Sequence, residues 1–357
     1  MQDVRNPNSK RETVISSGGL HTGFQEEIRY FEQNRVYSIQ IESTLACPQS
    51  CLYCYASGEN ACLKEMPGSD VRLIIDSAVK MGVRTIDWLG GDPLVRGDWY
   101  ELMKYAADSR LTNNIWSSGI PLEDMDIARK AVEVTANGFI SVHLDTLDET
   151  LYRQLHNGDA RKKIQSILRG VENVRSLGKD PGQMINCITF TRPLASDVER
   201  TIQYFYAEKG VRTCLTQMCA AGLARHHLEW APDAVETEAA CKVRDVVNYP
   251  SSSVSFCTMD TNKYYCGGTI CVTVDGDVTP CSVIRKSFGN IHGVPLEKIV
   301  KNEKESLLMI PLRDISNVSG QCSGCKNNSV CWGCRATAYY ETGDLFGRDP
   351  KCYVRRQ

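Results

Sequence analysis

The chain has 357 residues, 42% hydrophobic and 24% charged, with 41 basic side chains against 43 acidic. That composition suits one enlarged globular domain or two ordinary ones and excludes a disordered or collagen-like chain, while the near balance of charge leaves no field to hold nucleic acid or an anionic membrane. No run of 18 apolar residues exists, and Met1 to Thr22 is polar and mixed in charge rather than a signal peptide, so a cytoplasmic protein is expected.

The opening 36 residues are too few for a domain of their own. From Tyr37 to Met218, β-rich runs alternate with helical patterns, the signature of strand-helix units around a parallel sheet. The predicted strands are Ser38–Glu42, Thr85–Leu89, Asn114–Ser117, Phe139–Leu144, Ile185–Phe190 and Thr213–Met218. Ser69 is placed to cap the helix that Gly82 ends, and Ser196 with Glu199 reads as a capping box.

After Ala224 the pattern changes. A helix is predicted over Ala234–Val246, then a hairpin of Thr269–Val274 and Gly276–Val278 turning at Asp275-Gly276, then a short helix at Leu296–Lys301. The expected division is 1–36, 37–225 and 226–357. Little apolar surface remains for a core in the last part, where metal sites are the expected cross-links.

The 17 cysteines need such an explanation, because a chain this long has no need of disulfide staples. Cys47, Cys51 and Cys54, in CPQSCLYC, follow the first strand on a loop at the C-terminal edge of the sheet, where α/β proteins place their chemistry. Three thiolates fall one short of a closed four-ligand site, so one metal position is left for a non-protein ligand. A zinc site completed by a distant Cys, or three buried thiols, are the alternatives. Farther on, Cys266-x9-Gly276-x4-Cys281, Cys322-x2-Cys325-x5-Cys331-x2-Cys334 and Cys352 supply seven thiols, and Cys271 makes eight, enough for two four-ligand sites. Cys257 is the alternative to Cys271, and a zinc ribbon is the alternative to iron. Of the rest, Cys62, Cys187, Cys214, Cys219 and Cys241 read as small buried hydrophobes, with Cys219 at the barrel mouth the one candidate substrate-facing thiol. His143, alone within a strand, reads as a core or pocket-lining residue.

CPQSCLYC, with its aromatic before the third Cys, resembles the CxxxCxxC loop of radical S-adenosylmethionine enzymes. Gly90-Gly91-Asp92-Pro93 stands where that family has a GGE-like motif holding the cofactor's methionine amino group, with Asp92 one methylene short of the usual Glu. Ser117-Ser118-Gly119, with Ser118 central, and the region of Ser141 and Asp145 stand where the family contacts ribose. The C-terminal pattern, including Gly289-Asn290-Ile291 and Arg335-Ala336, resembles the SPASM extension, with x2 rather than x3 before Cys334. The resemblance runs from about Ser38 to Cys352. It implies a partial (β/α)6 TIM-like barrel followed by a small Cys-rich SPASM domain with a β-hairpin and two cluster sites. It also implies three [4Fe-4S] clusters. Cys47, Cys51 and Cys54 would hold the one that binds S-adenosylmethionine. Cys266, Cys271, Cys281 and Cys334 would hold the first auxiliary cluster, and Cys322, Cys325, Cys331 and Cys352 the second.

Such enzymes cleave their cofactor with one electron to give a 5′-deoxyadenosyl radical that abstracts hydrogen from a substrate. Auxiliary clusters add an electron sink, so the expected reaction is an oxidative modification, a cross-link or dehydrogenation, of a peptide or protein side chain. The rival is the same machinery acting on a small-molecule metabolite. A low-potential donor such as flavodoxin or ferredoxin is the implied partner, under anaerobic conditions. Ser282 after Cys281 disfavours the sulfatase-maturing branch, which has Asp there, and 36 residues are insufficient for a winged-helix leader-binding module. A reading of another class, a zinc or iron-sulfur interaction or electron-carrier module, leaves the three-Cys loop and GGDP unexplained.

Overall fold

The computed structural model describes residues 24–56, 64–249, 262–325 and 327–354. Six strands follow one another with helices between: β1 Ser38–Thr44, β2 Thr85–Gly90, β3 Thr112–Trp116, β4 Ile140–Val142, β5 Met184–Phe190 and β6 Arg212–Gln217. Each is parallel to the next. Two further strands, β7 Thr269–Val272 and β8 Val278–Thr279, complete a sheet ordered β6-β5-β4-β3-β2-β1-β7-β8. All six predicted strands form, though β4 is shorter than its sequence pattern.

Side-chain alternation makes this sheet two-faced. Ile39, Ile41, Ile86, Trp88, Ile115, Ile140 and Val142 join the helices in the main core. The opposite face carries Ser38, Gln40, Glu42, Asp87 and Asn114, all buried. Those polar groups answer one another: Asp87 accepts from Ser38 Oγ at 2.7 Å, Asn114 Nδ2 at 2.7 Å and Tyr265 OH at 2.6 Å. A polar lumen lined in this way is satisfied rather than empty of partners, as burial requires.

Helix ends depart from expectation in two places. The helix Gly68–Met81 buries Val71, Ile74, Ile75 and Ala78 and ends at Gly82 in the left-handed conformation, as predicted. Its first cap is Pro67, however, and Ser69 lies inside the first turn. The Ser196/Glu199 box does not form: Arg192–Ser196 is a 3-10 turn, and Asp197 precedes the helix Val198–Lys209 with its side chain bonded to Thr146 instead. The capping box is at Asp233 and Glu236, opening the helix Ala234–Asn248. There Asp233 accepts from the Glu236 amide while the Glu236 carboxylate accepts from the Asp233 amide.

The predicted hairpin forms with shorter strands and a longer turn, in which Gly276 takes φ of 82°. What the sequence pattern did not indicate is where it docks. β7 runs parallel to β1, with Ser38 opposite Thr269 and Ile41 opposite Val272. Ile270, Val272, Val274 and Val278 thereby enter the main core, as do Leu296, Ile299 and Val300 of the helix Leu296–Asn302. The expectation that this segment lacks apolar support is corrected: it shares the barrel's core because its strand extends the barrel's sheet. The helix Phe24–Glu32 packs on the same side, Phe31 meeting the rings of Tyr264 and Trp332. Among the described residues, no helix is long and apolar enough to cross a membrane.

Candidate active site

The three-Cys loop leaves the C-terminal end of β1 and is fixed at both its ends and its middle. The Leu52 amide donates to the Leu155 carbonyl at 3.0 Å and the Asn157 amide to the Ser50 carbonyl at 3.1 Å, so Cys51 pairs with His156 as an isolated bridge. Gln49 Nε2 donates to the His143 carbonyl at 2.8 Å, and Lys163 Nζ donates to the Gln49 carbonyl at 2.8 Å. At the far end, the Leu223 amide donates to the Cys54 carbonyl at 2.8 Å. Gly222, at φ of 55°, lies against the same carbonyl, where a Cβ would collide.

Cys54 lies close enough to Cys47 and Cys51, and Cys47 to Cys51, to oppose the ionisation of those two thiols. Burial first, then Asp92, pushes the Cys47 thiol up to about 12, and burial pushes Cys51 up as well. Three thiolates there need a compensating cation. The donor set therefore fits a metal cluster bound to all three. Among the described residues, no group of three or more His, Cys, Asp or Glu is gathered as a single ion's ligands would be.

Gly90 and Gly91 lie directly against this loop. The Gly91 amide donates to the Thr44 carbonyl at 2.6 Å, and the Asp92 amide to the Ala46 carbonyl at 2.7 Å. A Cβ on either glycine would collide with those carbonyls, which explains the residue type. Asp92 is wholly buried and accepts from Ser117 Oγ at 2.9 Å, the Ser118 amide at 2.9 Å, Ser118 Oγ, and the Leu94 amide at 3.1 Å. Its carboxylate thus joins GGDP to the Ser117-Ser118-Gly119 turn, while Pro93 opens the 3-10 turn Pro93–Val95. Ser141 is buried on β4, its hydroxyl donating to the Val142 carbonyl at 3.3 Å.

Asp145 is also wholly buried, and its partners were not foreseen. It accepts from Tyr53 OH, from the Thr189 amide at 3.2 Å, and pairs with His143 Nε2 at 3.1 Å and His156 Nε2 at 2.9 Å. Although burial opposes ionisation, the two imidazoles hold this carboxyl far below the usual carboxylate range. Burial lowers His143, yet Asp145 outweighs it and lifts the imidazole to about 9. Asp145 therefore anchors Tyr53, the aromatic of CPQSCLYC, and its oxygens are directed at the protein. The sequence marks the aromatic, His143 and Asp145 singly, and no local pattern joins them: His143 and His156 stand 90 and 103 residues beyond Tyr53.

The C-terminal cysteines gather unevenly. Cys281 and Cys334 share an apolar cluster with Cys219, Ile284 and Ala336. Cys271 sits within β7, wholly buried, opposite Gln40 and near Glu42, Arg285 and Cys281. Cys266 ends the short helix Lys263–Cys266 and packs in the cluster of Phe31 and Trp332. Cys322 lies near Cys325 and Cys352. Backbone amides point at several of these sulfurs: Asn327 at Cys325 over 3.4 Å, Gly333 at Cys331 over 3.1 Å, and Thr337 at Cys334 over 3.4 Å. Such N–H···S bonds are the outer-shell contacts that orient the ligands of a metal site. Cys62 and Cys257 lie outside the described residues.

One ion pair joins the two halves at the lumen. Arg285 places both terminal nitrogens at 2.7 Å from the carboxylate of the wholly buried Glu42, and its guanidinium lies 5.7 Å from the Tyr55 ring. The Ser282 amide donates to Gln40 Oε1 at 2.9 Å, so the segment after β8 follows the lumen wall. Neither contact has a local sequence signature, because each joins residues more than 240 apart.

Comparison with known proteins agrees with this geometry. Residues 41–205 match the family model of the radical SAM superfamily, and 257–335 match that of an iron-sulfur cluster-binding domain, SPASM. The AdoMet-dependent heme synthase of Methanosarcina barkeri is 25% identical over 352 residues, covering 88% of this chain and 95% of its own. A probable GTP 3′,8-cyclase of Methanococcus maripaludis is 26% identical over 279 residues, covering 71% and 87%. Among solved structures, Streptococcus suis SuiB bound to precursor peptide SuiA superposes with a TM-score of 0.64 at 16% identity, over 99% of this chain and 82% of SuiB. Native anSMEcpe with bound AdoMet gives 0.65 at 16% identity, over 88% and 94%. Three thiols on one loop, two glycines docked on it and a Cys-rich segment along the lumen thus have a common explanation: this chain belongs to the radical S-adenosylmethionine superfamily, an enzyme with a C-terminal SPASM iron-sulfur domain.

Proposed function

We propose that the protein carries out a net two-electron oxidative modification of a peptide or protein side chain, using three [4Fe-4S] clusters. Cys47, Cys51 and Cys54 would hold the first cluster. S-adenosylmethionine bound there supplies, on one-electron reduction, a 5′-deoxyadenosyl radical that takes a hydrogen atom from the substrate. Gly90 and Gly91 fix the loop's height above the sheet, and Tyr53, held by Asp145, fixes its rotation. The polar lumen beneath, closed by Glu42 and Arg285, orients substrate and excludes water. The observation that carries the oxidative reading is the position of Cys281, which precedes Ser282 on the lumen wall and packs in one cluster with Cys334: an electron leaving a substrate radical would have a thiolate-ligated acceptor next to the barrel. A donor of low potential, flavodoxin or ferredoxin, would supply the first electron.

Two fully ligated auxiliary sites require eight thiolates, and the set Cys266, Cys271, Cys281, Cys334, Cys322, Cys325, Cys331 and Cys352 provides them. The expected content after anaerobic reconstitution is about 12 iron per chain by that ligand count. Replacing Cys47, Cys51 and Cys54 with Ala should remove about 4 iron and abolish reductive release of 5′-deoxyadenosine; retained release would overturn the assignment of the loop.

A second reading, a small-metabolite substrate, is favoured by one fact: relatives aligned over most of this chain are named heme synthases. The test is substrate-dependent 5′-deoxyadenosine formation with extract separated by ultrafiltration. Stimulation by the retained fraction that protease treatment removes supports a peptide or protein. Stimulation by protease-resistant filtrate replaces that reading with the metabolite.

A further inference from the structure

The lumen offers a substrate few hydrogen-bond donors, because its polar wall is spent on itself. Asp87 takes the hydroxyls of Ser38 and Tyr265 and the Asn114 amide, Gln40 Nε2 donates to Tyr265 OH at 3.2 Å, and Gln40 Oε1 takes the Ser282 amide. From the end of β3 to β6, the same face carries an apolar cluster of Trp116, Phe139, Ile185, Cys187 and Cys214. Arg285 is the exception. Its Nη1 and Nη2 each give one hydrogen to Glu42, which leaves three of the five N–H groups of a guanidinium, and among the described residues none of the three meets an acceptor. The side chain keeps 31% of its surface exposed, although the Glu42 side chain against it keeps none. Its place is fixed from two further sides: the Tyr55 ring lies 5.7 Å away, and the Arg285 amide donates to Tyr340 OH at 3.3 Å.

We propose that the unpaired edge of Arg285 is the substrate anchor of the lumen, and that it donates to an uncharged acceptor, the backbone carbonyl of a peptide. Nε–H and the neighbouring Nη–H form a fork whose spacing suits carbonyl or carboxylate oxygens. Charge selects between the two. Glu42 already neutralises this guanidinium, and Asp87 adds a second carboxylate to the same wall. A substrate carboxylate at the fork would enter a partly buried site with no counter-charge left for it, whereas an amide carbonyl takes the same hydrogen bonds and brings no charge. Glu42 also holds the guanidinium in one orientation before substrate arrives, so little side-chain freedom is lost on binding. The anchor stands between Tyr55, next after the last cysteine of the loop, and the segment that leaves Cys281. A residue held there by its carbonyl lies between the two groups of thiols. The inference rests on the peptide reading above and names the group of the peptide that is gripped.

The test uses the full-length, anaerobically reconstituted protein. Its probe is the protease-sensitive fraction of extract retained on ultrafiltration, and 5′-deoxyadenosine release is measured against the amount added. Arg285→Lys keeps a cation against Glu42 but lacks the fork, so the half-saturating amount should rise at least about tenfold and carry most of the loss in efficiency. Glu42→Gln/Arg285→Met, which strands neither charge, should show the same rise at the wild-type iron content and far-UV circular dichroism, so a folding defect is not mistaken for a lost anchor. An unchanged half-saturating amount in these two variants overturns the proposal, as does a loss that falls on the saturated rate instead. Glu42→Gln alone tells the acceptors apart. With an uncharged carbonyl at the fork the half-saturating amount does not fall, whereas a fall of about tenfold would mark an anion and overturn the assignment. Stimulation of the wild-type protein by the protease-resistant filtrate alone would instead fail the peptide reading, and that failure is recognised without any variant.

Discussion

Gly91 has no room for a side chain. A Cβ there would strike the Ala46 carbonyl, one residue before the first cysteine of the loop. Gly91→Ala should therefore displace the loop and lower reductive 5′-deoxyadenosine release at least about tenfold, a barrier change of about 1.4 kcal/mol. The C-terminal iron should be retained, and iron analysis of the variant checks this. Arg285 makes a different kind of contribution. Glu42 is wholly buried, and removing its partner strands a charge. Because Arg285 keeps about a third of its surface exposed, the cost of Arg285→Met should fall near the lower end of the buried-pair range, about 3 kcal/mol. Urea-unfolding midpoints measure it, and the double variant Glu42→Gln/Arg285→Met should recover most of the loss, since neither partner is then left charged.

At the level of elements, the helix Ala234–Asn248 depends on its start. Asp233 and Glu236 satisfy orphan amides reciprocally. Asp233→Ala should cost about 1 kcal/mol locally and speed amide hydrogen exchange in residues 234–238, while Ser196→Ala leaves exchange in Val198–Lys209 unchanged. The contrast follows from chain geometry. Ser196 completes a 3-10 turn before its helix, so its hydroxyl is not presented to the third amide. Both segments contain a polar residue three before a Glu; which of them becomes a cap is set by the turn that precedes it.

Across the whole molecule, the barrel and the Cys-rich segment share one sheet. β7 covers the outer edge of β1, and β8 becomes the last strand on that side. A chain ending at residue 262 would expose the β1 edge and lose Ile270, Val272, Val278, Leu296 and Ile299 from the core. Such a truncation should aggregate, since an uncovered hydrophobic edge strand pairs with other chains. A soluble truncated protein with the full chain's far-UV circular dichroism per barrel residue would contradict this. Metal sites in this segment are thus free to serve electron transfer and local shape, because the strand pairing and apolar burial already attach it.

Much of the architecture was legible in the sequence because it is written in short-range periods. β-rich runs separated by helical patterns specify the parallel strands, since each strand's neighbours are set by short right-handed connections. Cysteines at x3 and x2 spacing mark the cluster loop, since three ligands within eight residues can converge without help from elsewhere. What the tertiary structure alone decided are contacts between distant segments: β7 on β1, Arg285 on Glu42, Asp145 beneath Tyr53, and Cys219 in one apolar cluster with Cys281 and Cys334. Each depends on which surfaces the folded sheet brings face to face, and no local pattern of residue types carries that information.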